Sequence, residues 1–261
     1  MRTIAIMNQK GGTAKTVSCI NAAAILEKYY GQRVLLVDAD SQGNLTEFVS
    51  KDPEGYKGVG GTADLLQGKP VWMTVTKIPN AMLLAGDEML MTLDISSAQA
   101  GIARPMALAD WLASEEIADR FDTCLIDCPP AFNAAAIAAL AAADEVIIPV
   151  KLDAFGIRGL AKIMAQIRNM KKVNPDLEVT GVLPTMYYKN EEQRRAEEEL
   201  RSSLLAIGIR LFHHIRRSPK VDSSTFEQTP LIYFSPTSAA CRDYRYFVRE
   251  LMGEEAEDDG V

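Results

Sequence analysis

The chain has 261 residues, 48% of them hydrophobic and 24% charged, with a formal net charge of −7. That composition suits one large α/β domain, argues against a disordered or fibrous chain, and leaves no apolar run long enough to span a bilayer. The charge is unevenly spread, because Glu250 to Val261 holds six acids and no bases. The rest of the chain is close to neutral, so the acidic total does not exclude a nucleic-acid partner.

Taken in order, Ile4-Ala5-Ile6-Met7 is a short apolar run that reads as a buried parallel strand. Val17 to Tyr30 carries apolar residues at helical spacing, and between the two lies Asn8-Gln9-Lys10-Gly11-Gly12-Thr13-Ala14-Lys15-Thr16. Strand, glycine loop and helix N-terminus together bring backbone N–H groups onto a phosphate. Gly11 and Gly12 let the main chain approach an anion, Lys15 supplies a point charge, and the Thr16 hydroxyl can ligate Mg²⁺. Gln9 and Ala14 stand where the common G-x-x-x-x-G-K-[ST] loop has glycine, and a Cβ at Ala14 adds strain. Cys19, Cys124, Cys128 and Cys241 are scattered without a CxxC pair, which speaks against a zinc site or a disulfide framework.

Arg33 to Asp38 reads as a second buried strand leading into Ala39-Asp40-Ser41-Gln42-Gly43-Asn44, so carboxylates fall opposite the phosphate loop. Lys51 to Gly61 reads as a surface loop, Thr62 opens a short helix, and Met82 to Gly86 is a strand. Ala107 to Ala118 has the pattern of one amphipathic helix with Trp111 and Leu112 in the core. Thr123 to Asp127 is a strand closed by an aspartate, the arrangement in which the acid holds Mg²⁺ through its water shell. Pro129 and Pro130 stiffen the turn that follows, Ala134 to Ala143 is a nearly all-alanine helix, and Glu145 to Val150 is a further strand.

Phe155 to Val173 reads as a helix with Arg158, Lys162, Arg168 and Lys172 on one side and Leu160, Ile163, Met164, Ile167 and Met170 on the other. The basic side is either a solvated face or a binding surface. Leu177 to Met186 is a strand and Glu191 to Ile207 a charged helix. Ile209 to Lys220 alternates as a strand with four Lys/Arg and no acid, so its adjacent His213 and His214 are expected to face opposite ways. Ser238 to Met252 forms a last helix. The alternation of strands and helices predicts a mostly parallel, doubly wound sheet covered by helices on both faces. One domain is expected over residues 1–252, with an acidic disordered tail at 253–261.

On Asn8-Gln9-Lys10-Gly11-Gly12 and the K-G-G-x-x-K-T spacing to Lys15 and Thr16, the chain resembles the deviant Walker ATPases of the ParA/Soj partitioning branch, in the MinD/ParA superfamily of P-loop NTPases. Asp38 to Asn44 resembles that family's D-x-D-x-Q-G-N segment with serine in place of proline, and Asp127-Cys128-Pro129-Pro130 resembles its Walker B ending. Pro230, Ser235-Pro236-Thr237 and Tyr244-Arg245 match its C-terminal part, so the resemblance covers nearly all of Arg2 to Met252. It implies an ATP hydrolase with ATP held by Lys10, Gly11, Gly12, Thr13, Ala14, Lys15, Thr16 and Val17, and Mg²⁺ near Thr16, Asp38 and Asp127. By the same resemblance Asp40 orients the attacking water, and Lys10 and Lys15 act on the phosphates, Lys10 across an ATP-sandwich homodimer.

The resemblance further implies that the dimer binds DNA without sequence preference and partitions a chromosome, plasmid or mobile element. Slow hydrolysis would be stimulated by a ParB-type centromere-binding protein. Arg216, Arg217 and Lys220 resemble the basic residues of the family's I-P-R-N-x-[RK] segment and are the candidate DNA contacts. The expected location is cytoplasmic and nucleoid-associated, with no membrane. Two other readings share the loop. One is a MinD-like membrane-associated positioning ATPase, which would need a basic amphipathic C-terminal helix. The other is an ATP-gated scaffold with negligible turnover.

Overall fold

In the computed structural model, which describes residues 1–52 and 60–254, eight strands form one sheet. They are β1 (Arg2–Ile6), β2 (Val34–Asp38), β3 (Thr74–Val75), β4 (Ala81–Leu84), β5 (Thr123–Asp127), β6 (Glu145–Lys151), β7 (Glu178–Thr185) and β8 (Arg210–Leu211). Their order across the sheet is β3-β4-β2-β5-β1-β6-β7-β8, and every neighbouring pair is parallel except β3 with β4. Every residue of β2 and β5 is buried, as the continuous apolar runs of a two-sided parallel sheet require.

The helices in chain order are α1 (Lys15–Tyr30), α2 (Asn44–Val49), α3 (Thr62–Leu66), α4 (Ile95–Gln99), α5 (Ala107–Leu112) and α6 (Glu115–Ala118). They continue with α7 (Ala134–Ala142), α8 (Ala154–Met170), α9 (Glu191–Leu205), α10 (Pro219–Phe226), α11 (Leu231–Phe234) and α12 (Ala239–Leu251). One sheet face is closed by α1, α2, α11 and α12 through Ile20, Phe48, Ile232 and Phe247. The other is closed by α3, α5, α7 and α8 through Leu66, Leu112, Leu140 and Ile163. The fold is thus the expected doubly wound α/β type. No helix among the described residues is long and apolar enough to cross a membrane.

The topology fixes where a ligand can sit. β1 lies between β5, toward the β2 side, and β6, toward the later strands, so the sheet reverses its winding at β1. Ile6 and Asp38 both pair in register with Asp127. Three strand ends therefore stop level with one another at the carboxyl edge, just where the glycine loop leaves β1.

Three expectations need correction. The helix expected over Ala107–Ala118 is two pieces, because Ser114 adopts an extended conformation (ψ 143) and opens a new helix whose first turn holds Glu115 and Glu116. Its hydroxyl donates back to the Trp111 carbonyl at 2.7 Å, closing the break; Leu112 is buried and Trp111 half-buried, as expected. The strand expected over Ile209–Lys220 lasts only for Arg210–Leu211. Beyond it the amide of His213 donates to Glu250 (2.7 Å) and that of Arg216 to Asp243 (2.9 Å), so carboxylates take donors that a longer strand would give to a neighbour. As a result His213 and His214 do not face apart; their rings stack at 4.8 Å, and Tyr187 stacks on His214 at 3.8 Å. The loop expected at Lys51–Gly61 and the acidic tail fall mostly on residues 53–59 and 255–261, outside the described residues.

Candidate active site

The loop from Asn8 to Thr16 is held from behind by backbone acceptors and short polar side chains. Asn8 donates its side-chain amide to the Pro149 carbonyl at 2.6 Å and accepts the Lys10 amide at 2.9 Å. Thr185, at the end of β7, donates its hydroxyl to the Thr13 carbonyl at 3.1 Å. Gly12 has φ 67, and so, against the usual preference, does Ala14 with φ 63. The strain expected at Ala14 is therefore real: a left-handed non-glycine residue costs roughly 1–2 kcal/mol. In exchange the chain turns straight into α1 with no side-chain cap and no acid in the first turn. The first N–H groups of a 16-residue helix are left for a ligand, at its electropositive end.

Behind the loop are three acids in different situations. Asp127 is buried, receives the Thr16 hydroxyl on Oδ2 at 2.6 Å, and has an Oδ1 with no hydrogen-bond partner. Burial, and after it the nearby Asp38 carboxylate, push its pKa well above the usual carboxylate range. Asp38 is fully buried but satisfied, accepting the amide and hydroxyl of Thr46 (2.9 and 2.7 Å) and the Asp40 amide (3.1 Å). Burial still pushes its pKa up to about 6. Gly86 is required beside it, since a Cβ there would stand 2.8 Å from the Asp38 carboxyl carbon. Asp40 reaches the cavity itself and caps the Gln42 amide at 3.1 Å.

The cavity in front of the loop has a volume of about 590 Å³, within the range of small-molecule sites. Gly11 to Val17 form its phosphate end, with Asp40, while Met186, Ile215, Val221 and Thr225 supply a less polar end suited to a planar base. Sequence reasoning missed those four, although Ile215 and Val221 flank the basic stretch from Arg216 to Lys220. It also missed Thr185 and Lys151. The signal for Lys151 was present: a lysine closing an apolar strand. Its ammonium stands 3.9 Å from where a Cβ of Gly12 would be.

Of the sequence-expected residues, Lys15, Thr16, Asp40 and Asp127 converge at one end of the cavity. Lys10 does not: its ammonium lies over the Phe155 ring, 5.4 Å from the centroid. Arg216 lines the cavity but its guanidinium forks onto buried Asp243 at 2.6 and 2.9 Å. Arg217, which also lines the cavity and is held to Tyr188 by a hydrogen bond, and Lys220 are exposed. Asp153, at the end of the basic helix's approach, caps α8 through the Gly156 amide.

A cation fits here on the chemistry of the donors. The orphaned Asp127 oxygen and the Thr16 hydroxyl offer hard oxygen ligands next to a loop shaped for phosphate, as Mg²⁺ sites with few protein ligands do. Among the described residues no three His, Cys, Asp or Glu side chains gather into a protein-only metal cage.

Comparison with known proteins agrees with this chemistry. The family model for the AAA domain matches residues 1–179. The chromosome-partitioning ATPase Soj of Thermus thermophilus is 33% identical over 97% of this chain and 96% of its own length. The ATP complex of a Cyanothece McdA variant shares the fold, with a TM-score of 0.80 at 21% identity over 98% of both chains. A cobyrinic acid a,c-diamide synthase of Mycobacterium smegmatis, solved with ADP and magnesium, is 28% identical with a TM-score of 0.76 over 97% of this chain and 94% of that one. With the loop, the buried aspartates and these relatives together, the chain belongs to the ParA/Soj family of deviant-Walker P-loop ATPases.

Proposed function

We propose that this chain works as an ATP-gated dimer that holds DNA without sequence preference and partitions a replicon together with a ParB-type partner, in the cytoplasm and on the nucleoid. The observation that carries the dimer is the division of the two loop lysines. Lys15 lines its own cavity, whereas Lys10, five residues earlier, points its ammonium over Phe155 and outside that cavity. A lysine of the phosphate loop that does not face its own phosphate site is suited to one presented by a second copy.

Within one chain the work divides by position. Lys15 and the uncapped amides of α1 neutralise and orient the phosphates, and in phosphoryl transfer most of the catalysis comes from such positioning and charge stabilisation. Thr16 and Asp127 would hold Mg²⁺, which supplies charge neutralisation on the phosphates when bound. Asp38 orders the switch segment through Thr46 and the Asp40 amide rather than by offering an oxygen to the cavity. Asp40 is the acid left free to orient water.

For DNA, the geometry favours Arg217 and Lys220 over Arg216, whose charge is already matched by Asp243. The exposed Arg158, Lys162, Arg168 and Lys172 of the α8 region form a second candidate surface. A dimer doubles the phosphates neutralised and hence roughly doubles the salt slope. DNA retention should therefore require ATP, tolerate any sequence and decline steeply from low to moderate salt. Lys220→Glu should weaken it sharply at unchanged nucleotide affinity, and adding Arg217→Glu, at a residue that also lines the cavity, should abolish it. Equal retention with ATP, ADP and no nucleotide, or liposome binding in place of DNA binding, would overturn the reading.

A further inference from the structure

We propose that Lys151 is a third phosphate-contacting lysine, acting on the nucleotide bound by its own chain; the inference rests on the ATP-site reading above. Lys151 is the last residue of β6, the strand next to β1, and pairs in register with Thr185, which itself bonds the loop at Thr13. Its carbonyl accepts the Asp153 amide at 2.9 Å, and a Cβ on Gly156 would stand only 2.0 Å from that oxygen. The first turn of α8 is thus closed down on Lys151, so its side chain departs from a rigid strand end rather than a loose loop. A ligand-contacting group gains most from such fixed support.

The ammonium stands beside Gly12 and lines the cavity with Thr13 and Lys15. It is half-buried and makes no hydrogen bond or ion pair among the described residues. None of the acids beneath the loop bonds this ammonium: Asp38 accepts from Thr46, Asp127 from Thr16, and Asp40 from the Gln42 amide. The Lys10 carbonyl is taken by Thr13 and Lys15 and the Thr13 carbonyl by Thr185, while the uncapped amides that open α1 are donors. A partly desolvated cation set beside such donors favours an anion over other partners. Since Lys10 lies outside the cavity over Phe155, Lys151 is the second ammonium that this chain offers to its own phosphates.

The test compares wild type, Lys151→Met, Lys151→Gln and Lys151→Arg. Methionine keeps most of the stem and removes the charge; glutamine is the alternative should the methionine variant melt early without nucleotide. ATP is titrated calorimetrically at two salt concentrations, and uncharged adenosine is followed by ligand-observed NMR. Both neutral variants should bind ATP about tenfold more weakly, a typical loss for one charge-assisted contact. Their salt dependence should be shallower, adenosine binding unchanged, and most of the affinity restored by arginine. ATP affinity at the wild-type level in the neutral variants would overturn the proposal. So would an equal loss of ATP and adenosine, which marks a merely structural role. Wild-type protein that fails to bind ATP would instead remove the nucleotide-site reading itself.

Discussion

Beneath the phosphate loop, burial raises the pKa of Asp38 and Asp127. Behind the segment from Phe212 to Ser218, Asp243 is also buried and Glu197 half-buried, yet their pKa values are lowered. Burial raises these two as well, but the bonds from His213 and Arg216 outweigh it at Asp243, and those from His214 at Glu197. The difference lies in where the cation comes from. The second pair is bonded by basic side chains of the chain and acts as a clamp; the first pair has no bonded cation, Lys15 acting on Asp127 only through its field, and is short of positive charge that a ligand can bring. The acids left without a bonded cation form a functional wall beneath the phosphate loop, and the acids already paired form a structural wall behind residues 212–218.

The comparison can be broken most sharply on the functional wall. Asp40→Ala should bind ATP but lose about 100-fold or more of its turnover, the scale of a positioned acid or base. Asp127→Ala should instead weaken Mg²⁺-dependent ATP binding by about 10- to 100-fold, as the loss of a group that orients a metal ligand does. Phosphate release and nucleotide titration with and without Mg²⁺ separate the two; wild-type turnover in Asp40→Ala would remove the division of roles.

On the structural wall, Asp243→Asn should leave nucleotide affinity unchanged and cost about 2 kcal/mol. That is below the loss for a fully enclosed pair because Arg216 is 41% exposed. For a chain of this size it lowers Tm by about 4–8 °C.

The two walls should also respond to pH with opposite signs. Asp38 binds its proton more tightly when folded, so nucleotide-free protein should lose stability as pH rises from about 4 to about 6, and Asp38→Asn should flatten that limb. Asp243 releases its proton more readily when folded, so its contribution should be lost as pH falls below about 4, and Asp243→Asn should flatten that limb instead. Melting curves across pH without nucleotide check both. The smallest effect is expected at Ala14: glycine accepts φ 63 without strain but loses more entropy on folding. Ala14→Gly should raise Tm by only about 1–2 °C and leave the loop's N–H groups in place.

The same contrast explains what could be read in the sequence. That Lys15, Thr16, Asp40 and Asp127 would come together was legible because phosphate and Mg²⁺ chemistry ask for those residue types at the ends of apolar strands. The course of His213 to Arg217 was not. It is set by Asp243 and Glu250, more than twenty residues later, and by Tyr187 and Glu197 before it. An alternating pattern there looks like a strand until α12 packs alongside and takes its amides. Likewise the break between α5 and α6 turns on one serine hydroxyl inside a helical pattern. The less polar end of the cavity, Met186, Ile215, Val221 and Thr225, was not legible because apolar lining asks only for shape and not for a particular residue type.

On the proposed function, two lysines of one loop serve two different nucleotides. Nucleotide titration combined with light scattering on Lys10→Ala and Lys15→Ala tests it directly. Lys15→Ala should lose ATP binding altogether, while Lys10→Ala should bind ATP close to wild type yet remain a monomer with ATP bound. Equal loss of ATP binding in both variants, or full ATP-dependent dimerisation of Lys10→Ala, would contradict it.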